Sequence, residues 1–145
     1  MSAQDRAERS AAVMWANDRA SAWLGARIEA IAPGRATLAM EVAAHHCNGH
    51  GICHGGFIFT LADSAFAFAC NSYNERAVAQ TNQITYLTPG REGDRLIATA
   101  TEVARSGRTG IYDVTVAVED AVIATFRGQS RTIGGQHFEE DTGHG

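Results

Sequence analysis

The sequence predicts an α+β fold in which one antiparallel sheet of six strands wraps around a long central helix, with a further helix on the N-terminal side. Three observations carry this expectation. Between Gly55 and Cys70, the residues Phe57, Ile58, Phe59, Leu61, Ala62, Ala65, Phe66, Ala67, Phe68 and Ala69 put apolar groups on every face of a helix, which therefore needs cover all round. The four stretches after Asn74 are rich in Val, Ile, Thr, Tyr and Phe and are separated by turn signals, the pattern of strands. Their connections are too short for helical crossovers, so neighbouring strands run antiparallel.

Each element follows in order. Residues 3–18 are good helix formers, and Ala7, Ala11, Met14 and Trp15 recur at three-to-four intervals, which makes an amphipathic first helix. Ala22, Trp23 and Leu24 form a short second turn that Gly25 ends. Residues 27–32 and 35–42 read as a hairpin joined at Pro33-Gly34, a dipeptide suited to a tight turn. Residues 45–56 are crowded with His, Cys and Gly and lack periodicity, so they form a loop leading into the apolar helix. Strands are expected over 76–87, 95–105, 109–118 and 122–133, with turns at Pro89-Gly90, Ser106-Gly107 and Glu119-Asp120.

At 145 residues the chain fits one domain. We assign it residues 1–135 and read the polar stretch 136–145 as a flexible tail. Apolar residues at 45% and charged residues at 19%, without a charge block, exclude a disordered chain. The net charge of -4 leaves no footprint for a polyanion, so no nucleic-acid partner is expected. All 12 basic residues are Arg, the side chain that holds phosphates in bidentate pairs. Three cysteines, Cys47, Cys53 and Cys70, make no regular framework, and no secretory layout follows Met1, so free thiols in a reducing cytoplasm are expected. The apolar stretch at 55–70 is broken by Thr60, Asp63 and Ser64 and is too short for a membrane span.

Two features point to chemistry. Asp63 is a carboxylate inside an apolar helix, where lost hydration raises its pKa and makes it more basic. Gly55-Gly56 at the helix start leave the first N–H groups uncovered, so that a carbonyl or anion can approach them and feel the helix dipole. For a thioester carbonyl that is an oxyanion hole, although the same dipeptide also suits a plain tight turn. Eight residues separate Gly55 from Asp63, a rise of roughly 12 Å, whereas donor and base must both reach the reacting group at roughly 3 Å. If both act on one substrate, Asp63 comes from a second subunit, and the molecule is a symmetric dimer with two shared sites.

The loop supplies a rival signal. His45, His46, Cys47, His50, Cys53 and His54 are six candidate metal ligands in ten residues, yet their spacing matches no standard zinc pattern and no remote pair completes them. We therefore expect no metal. His54 is read as a hydrogen-bonding residue that fixes the loop and, with Gly56, borders the substrate; Cys70 is a small buried filler.

The stretch Asn48-Gly49-His50-Gly51-Ile52-Cys53-His54-Gly55-Gly56, continued by Leu61-Ala62-Asp63-Ser64-Ala65-Phe66-Ala67-Phe68-Ala69-Cys70-Asn71, resembles the hotdog-fold acyl-CoA thioesterases of the phenylacetate pathway, the PaaI type. The likeness extends from about Trp15 to Gly135 and includes Thr85-Tyr86-Leu87-Thr88-Pro89-Gly90, the stretch 107–113, and Phe126-Arg127-Gly128. It implies that the fold is a hotdog, that Asp63 is the nucleophile or general base, and that the Gly55 N–H polarises the thioester carbonyl from the other subunit. Asn48 would orient the thioester or the attacking water, and Thr81 would support Asp63 as its partner. Coenzyme A would meet Arg91 in the Pro89-Gly90-Arg91 turn and the run Arg105, Gly107, Arg108 and Thr109, where Arg suits phosphates. The family also implies a homotetramer, built from dimers with shared sites, and a phenylacetyl or hydroxyphenylacetyl acyl group.

No cofactor is needed for such a reaction, since thiolate leaves readily from a polarised thioester and CoA is part of the substrate. Phe57, Phe59, Phe66 and Tyr73 are candidates for an aromatic acyl pocket, or else plain core. Two other functions stand beside the hydrolase: a hotdog enoyl-CoA hydratase or dehydratase, whose His-based motif the HGG-x6-Asp pattern departs from, and a binding module for metal or acyl-CoA built on the loop at 45–54.

Overall fold

The computed structural model describes residues 1–140. Helix α1 (Ala3–Asn17) opens on a capping box in which Ser2 Oγ accepts from the Asp5 N–H at 3.0 Å and the Asp5 carboxylate accepts from the Ser2 N–H at 3.3 Å. Asp18 ends it and caps α2 (Arg19–Leu24), accepting from the Ser21 N–H at 2.9 Å. That cap makes α2 a full six-residue helix, longer than the turn read from Ala22 to Leu24.

The hairpin β1 (Arg27–Ala32) and β2 (Arg35–Glu41) leads through the loop to the central helix α3 (Gly55–Cys70). Strands β3 (Ala77–Tyr86), β4 (Arg95–Ser106), β5 (Thr109–Val118) and β6 (Ala121–Thr132) complete the chain. All six strands form one sheet in the order β1-β2-β4-β5-β6-β3, with every neighbouring pair antiparallel. Helix α3 crosses this sheet, touching each strand, and delivers β3 to the edge opposite the hairpin. The expected six-stranded sheet around a central helix is what forms.

The core lies between α3 and the sheet. Leu61, Ala62, Ala65, Phe66 and Phe68 are buried against inward residues such as Leu38, Leu96, Val114 and Phe126. Burying a side chain of this kind contributes roughly 1.5–3 kcal/mol. Phe66 lies flat on β6 because Gly128 has no side chain; a Cβ there would sit 2.7 Å from the ring.

Cover of α3 is incomplete, contrary to the all-round burial its composition predicts. Gly56, Thr60, Asp63 and Ala67, spaced by four, three and four residues, form one stripe that stays at least partly exposed in the protomer. Six strands wrap most of a helix, and the side facing away from the sheet is left for something else.

Strand β3 carries a bulge. Ala79 pairs with Ser130 and Thr81 with Gln129, so Gln80 is an extra residue that shifts the alternation. Inward positions run Ala77, Ala79 and then Asn82, Ile84 and Tyr86, opposite Thr132, Ser130, Gly128, Phe126 and Ala124.

The stretch expected to be a flexible tail is tied down as far as Glu140. Asn74, fully buried in a left-handed conformation (φ 58°), accepts from the His137 and Phe138 N–H groups at 2.9 and 3.2 Å and donates to the Phe138 carbonyl at 3.0 Å. Arg9 lies 4.3 Å above the Phe138 ring, and Arg6 pairs with Glu140 at 2.8 Å. The remainder of the expected tail, 141–145, lies outside the described residues. Among the described residues no helix is long and apolar enough to cross a membrane.

Candidate active site

The first turn of α3 has four N–H groups without intrahelical acceptors, and the structure disposes of three. His54 Nδ1 accepts from the Gly56 N–H at 2.9 Å, the His54 carbonyl accepts from the Phe57 N–H at 3.0 Å, and the His46 carbonyl accepts from the N-cap N–H of His54 at 2.8 Å. The Gly55 N–H meets no acceptor among the described residues. Accepting through Nδ1 puts the neutral ring's proton on Nε2, which the exposed His54 presents outward.

A cleft of about 350 Å³ opens beside this turn, lined among others by Asn48, Cys53, Gly55, Ile58, Tyr86 and Pro89. Tyr86 closes one wall: its hydroxyl donates to the Gly55 carbonyl at 2.7 Å, and a Cβ on Gly55 would stand 2.9 Å from its ring. A larger residue at position 55 would displace the exposed Tyr86 ring from the cleft wall. Asn48 Oδ1 accepts from the His50 and Ile52 N–H groups at 2.9 and 3.5 Å, which fixes the amide on the cleft wall, where its Nδ2 has no acceptor among the described residues. Arg91 joins this end of the molecule, bridging to Ile52 while its N–H donates to Asp94 at 2.8 Å.

The loop that carries Asn48 is anchored by His46. Its Nδ1 accepts from the Ala43 N–H and its Nε2 bonds the Leu24 carbonyl, both at 2.9 Å, and burial lowers its pKa. The other loop residues are also occupied: His45 stacks between Trp23 and His46, and Cys47 and Cys53 face each other across a short antiparallel bridge. Burial pushes the Cys53 thiol up to about 11. Among the described residues no three His, Cys, Asp or Glu side chains come together as a ligand set.

Asp63 does not line the cleft. It sits further along α3, half-buried on the open stripe, where burial raises its carboxyl above the usual range and one hydrogen bond pulls the other way. That bond comes from Asn82, whose Nδ2 donates to Asp63 Oδ1 at 2.9 Å. Thr81, expected as the partner of Asp63, is exposed on the outer face of β3 beside Gln83, Arg127 and Gln129. The bulge at Gln80 exchanges the two: counting alternately from Ala77 and Ala79 brings Thr81 inward, and the extra residue turns Asn82 in instead.

The remaining candidates lie elsewhere. The turn with Arg105, Gly107, Arg108 and Thr109 borders Cys70 and Tyr73 at the C-terminal end of α3. Arg105 is committed there, 3.8 Å above the Tyr73 ring and 3.8 Å from Glu102, whose Oε1 also accepts from the Tyr73 and Tyr112 hydroxyls at 2.9 Å each. Phe66 and Tyr73 are thus core and far-end residues, while Phe57 and Phe59 are partly buried near the first turns. A groove of about 380 Å³ on the outer sheet face holds Asp113, but that carboxylate is held by Arg127 in a bidentate pair at 2.6 and 2.8 Å.

One protomer therefore presents a cleft with the Gly55 N–H and Asn48 on its wall, and separately the half-buried Asp63 carboxylate on an uncovered helix stripe. This hotdog sheet and helix, with HGG at the helix start and a half-buried Asp two turns on, define a class of thioester hydrolases, and the chain belongs to the thioesterase superfamily, whose family model matches residues 50–124. Among its relatives is the acyl-coenzyme A thioesterase PaaI of Escherichia coli, 43% identical over 131 residues that span 90% of this chain and 94% of the relative. The crystal structure of the E. coli PaaI protein from the phenylacetic acid degradation operon superposes with a TM-score of 0.91 at 42% identity, covering 93% of this chain and 99% of that one. A Streptococcus mutans protein, smu.793, solved bound to acetyl-CoA, matches at TM-score 0.74 and 28% identity over 77% of this chain and 90% of its own. The likeness to the PaaI type seen in the sequence holds over nearly the whole chain, and the hydratase reading loses its ground.

Proposed function

We propose that the protein hydrolyses acyl-CoA thioesters, with phenylacetyl- and hydroxyphenylacetyl-CoA as its preferred substrates. The observation that carries this is the N–H of Gly55, which meets no acceptor among the described residues and stands at a helix N-terminus beside a cleft. The thioester oxygen accepts from that N–H, and negative charge developing on it is favoured by the helix dipole. Asn48 Nδ2 and His54 Nε2–H are the neighbouring donors for the acyl-thioester, Gly56 lets it approach, and Arg91 meets the CoA phosphates.

Asp63 of the opposing protomer drives the attack, either with its own carboxylate oxygen or by activating a water. In the direct route its carboxylate attacks the carbonyl carbon, the C–S bond breaks, and water cleaves the resulting anhydride. In the base route Asp63 takes a proton from water, the hydroxyl oxygen bonds to the carbon, and collapse expels the thiolate, which takes the proton. Either way acyl-CoA and water give carboxylate, a proton and free CoA thiol, and no cofactor enters. The half-site geometry supports a homodimer with two shared sites, and the relatives support the acyl-CoA class. We extend the reading to a homotetramer working in the cytoplasm, with Gly107, Arg108 and Thr109 bordering CoA across a subunit contact.

Thiol release from phenylacetyl-, hydroxyphenylacetyl-, benzoyl-, short straight-chain and long-chain acyl-CoA tests it. Fast release from the arylacetyl esters, lost by roughly 100- to 10,000-fold in Asp63→Asn, is the expected result. Near-normal turnover in that variant would overturn the role of Asp63, and a chelator that stops the wild type would overturn the metal-free reaction.

A further inference from the structure

We infer that Asn82 is the positioning residue of the reactive carboxylate: its amide N–H fixes Asp63 Oδ1 and leaves Oδ2 unengaged. The inference rests on Asp63 being the reactive carboxylate.

Three observations lead here. The Asn82 N–H reaches Asp63 Oδ1 at 2.9 Å, and Oδ2 has no partner among the described residues, so one oxygen is held and the other is free to work. Asn82 faces α3 only because β3 takes in the extra residue Gln80. Its own Oδ1 is buried and meets no donor, one of two such side-chain atoms among the described residues. The purely structural asparagine Asn71 is different: its Oδ1 bonds the Ala77 N–H and the His137 ring, and its Nδ2 donates to the Ala67 and Ala77 carbonyls. Asn71 is satisfied at both ends, whereas the Asn82 side chain leaves its own oxygen unpaired and makes its hydrogen bond to Asp63.

The surroundings isolate this pair. Opposite, α2 contributes Ser21, which bonds Ser64 at 2.9 Å rather than Asp63. The titratable group coupled to Asp63 within the protomer is the Cys70 thiol, pushed up to about 12 by burial and so neutral at working pH. The hydrogen bond from Asn82 is the one contact that favours the charged form of Asp63.

The experiment is kcat and KM against pH for wild type, Asn82→Ala, Asn82→Asp and Asp63→Asn, with thermal unfolding of each. Losing the donor raises the pKa of Asp63, so the acidic limb of kcat/KM should move up by about one pH unit in Asn82→Ala, and further in Asn82→Asp, where a second carboxylate opposes ionisation. kcat should fall about 10- to 100-fold with KM near wild type. A structural role alone would lower the unfolding temperature and leave the limb in place. Should Asn82→Ala fail to fold, the isosteric Asn82→Asp decides the matter. An unmoved limb in a folded variant, with Asp63→Asn inactive, overturns the role of Asn82 alone; an active Asp63→Asn overturns the reading beneath it.

Discussion

The Asp63 carboxylate is held between two opposing influences, burial against its charge and one amide N–H in its favour. An amide at this position keeps an oxygen for Asn82 and carries no charge to desolvate. Asp63→Asn should therefore unfold at the wild-type temperature or above it while losing activity, a trade that differential scanning calorimetry beside the thiol assay will reveal. Gly55→Ala brings a methyl within 2.9 Å of the Tyr86 ring, so its kcat should drop by on the order of 100-fold. Pairing it with Tyr86→Ala relieves the contact, and part of the loss should return if the clash displaces the N–H. Asp63 and Gly55 were legible in the sequence because each is chemically out of place, a charge in an apolar run and a pair of glycines at its start. Asn82 was not legible. Strand alternation reads faithfully until an extra residue enters, and nothing in the composition of Ala79-Gln80-Thr81 announces that one does.

At the scale of elements, the loop before α3 is the part whose composition misleads. Its histidines and cysteines have the density of a metal site, yet His46 is a brace between α2 and the residues that carry Asn48. His46→Ala leaves the Ala43 N–H and the Leu24 carbonyl without partners and should cost about 1–3 kcal/mol in a urea titration. Burial lowers the pKa of both His46 and His137, so the unfolded chain binds more protons than the folded one. Stability should then decline as pH falls through the ordinary histidine range, below about 6.5, and the decline should be shallower in His46→Asn. Period and turn chemistry located the strands to within a residue or two; the length of α2 escaped because its signal is a single capping aspartate, Asp18. The stripe on α3 escaped for another reason: alanine and glycine look apolar whether a sheet covers them or not.

For the whole molecule, the proposed roles of Gly55 and Asp63, two turns apart on one helix, would make each site the joint property of two chains. Two inactive variants, Asp63→Asn and Gly55→Val, should recover about a quarter of wild-type activity when unfolded together and refolded in equal amounts, since half the dimers are mixed and each has one intact site. Mixing without exchange is the control, and light scattering reports the assembly in both. A monomer with full activity would contradict the shared site. The contact between Arg6 and Glu140, 2.8 Å in space and 134 residues apart in sequence, has a bearing on handling this fold. With α1 and the segment after β6 already held together, joining the two by a short peptide would spend little chain entropy in the folded state and remove much from the unfolded one. The chain is therefore suited to circularisation, and the exposed Glu119-Asp120 hairpin offers a place to open the ring anew.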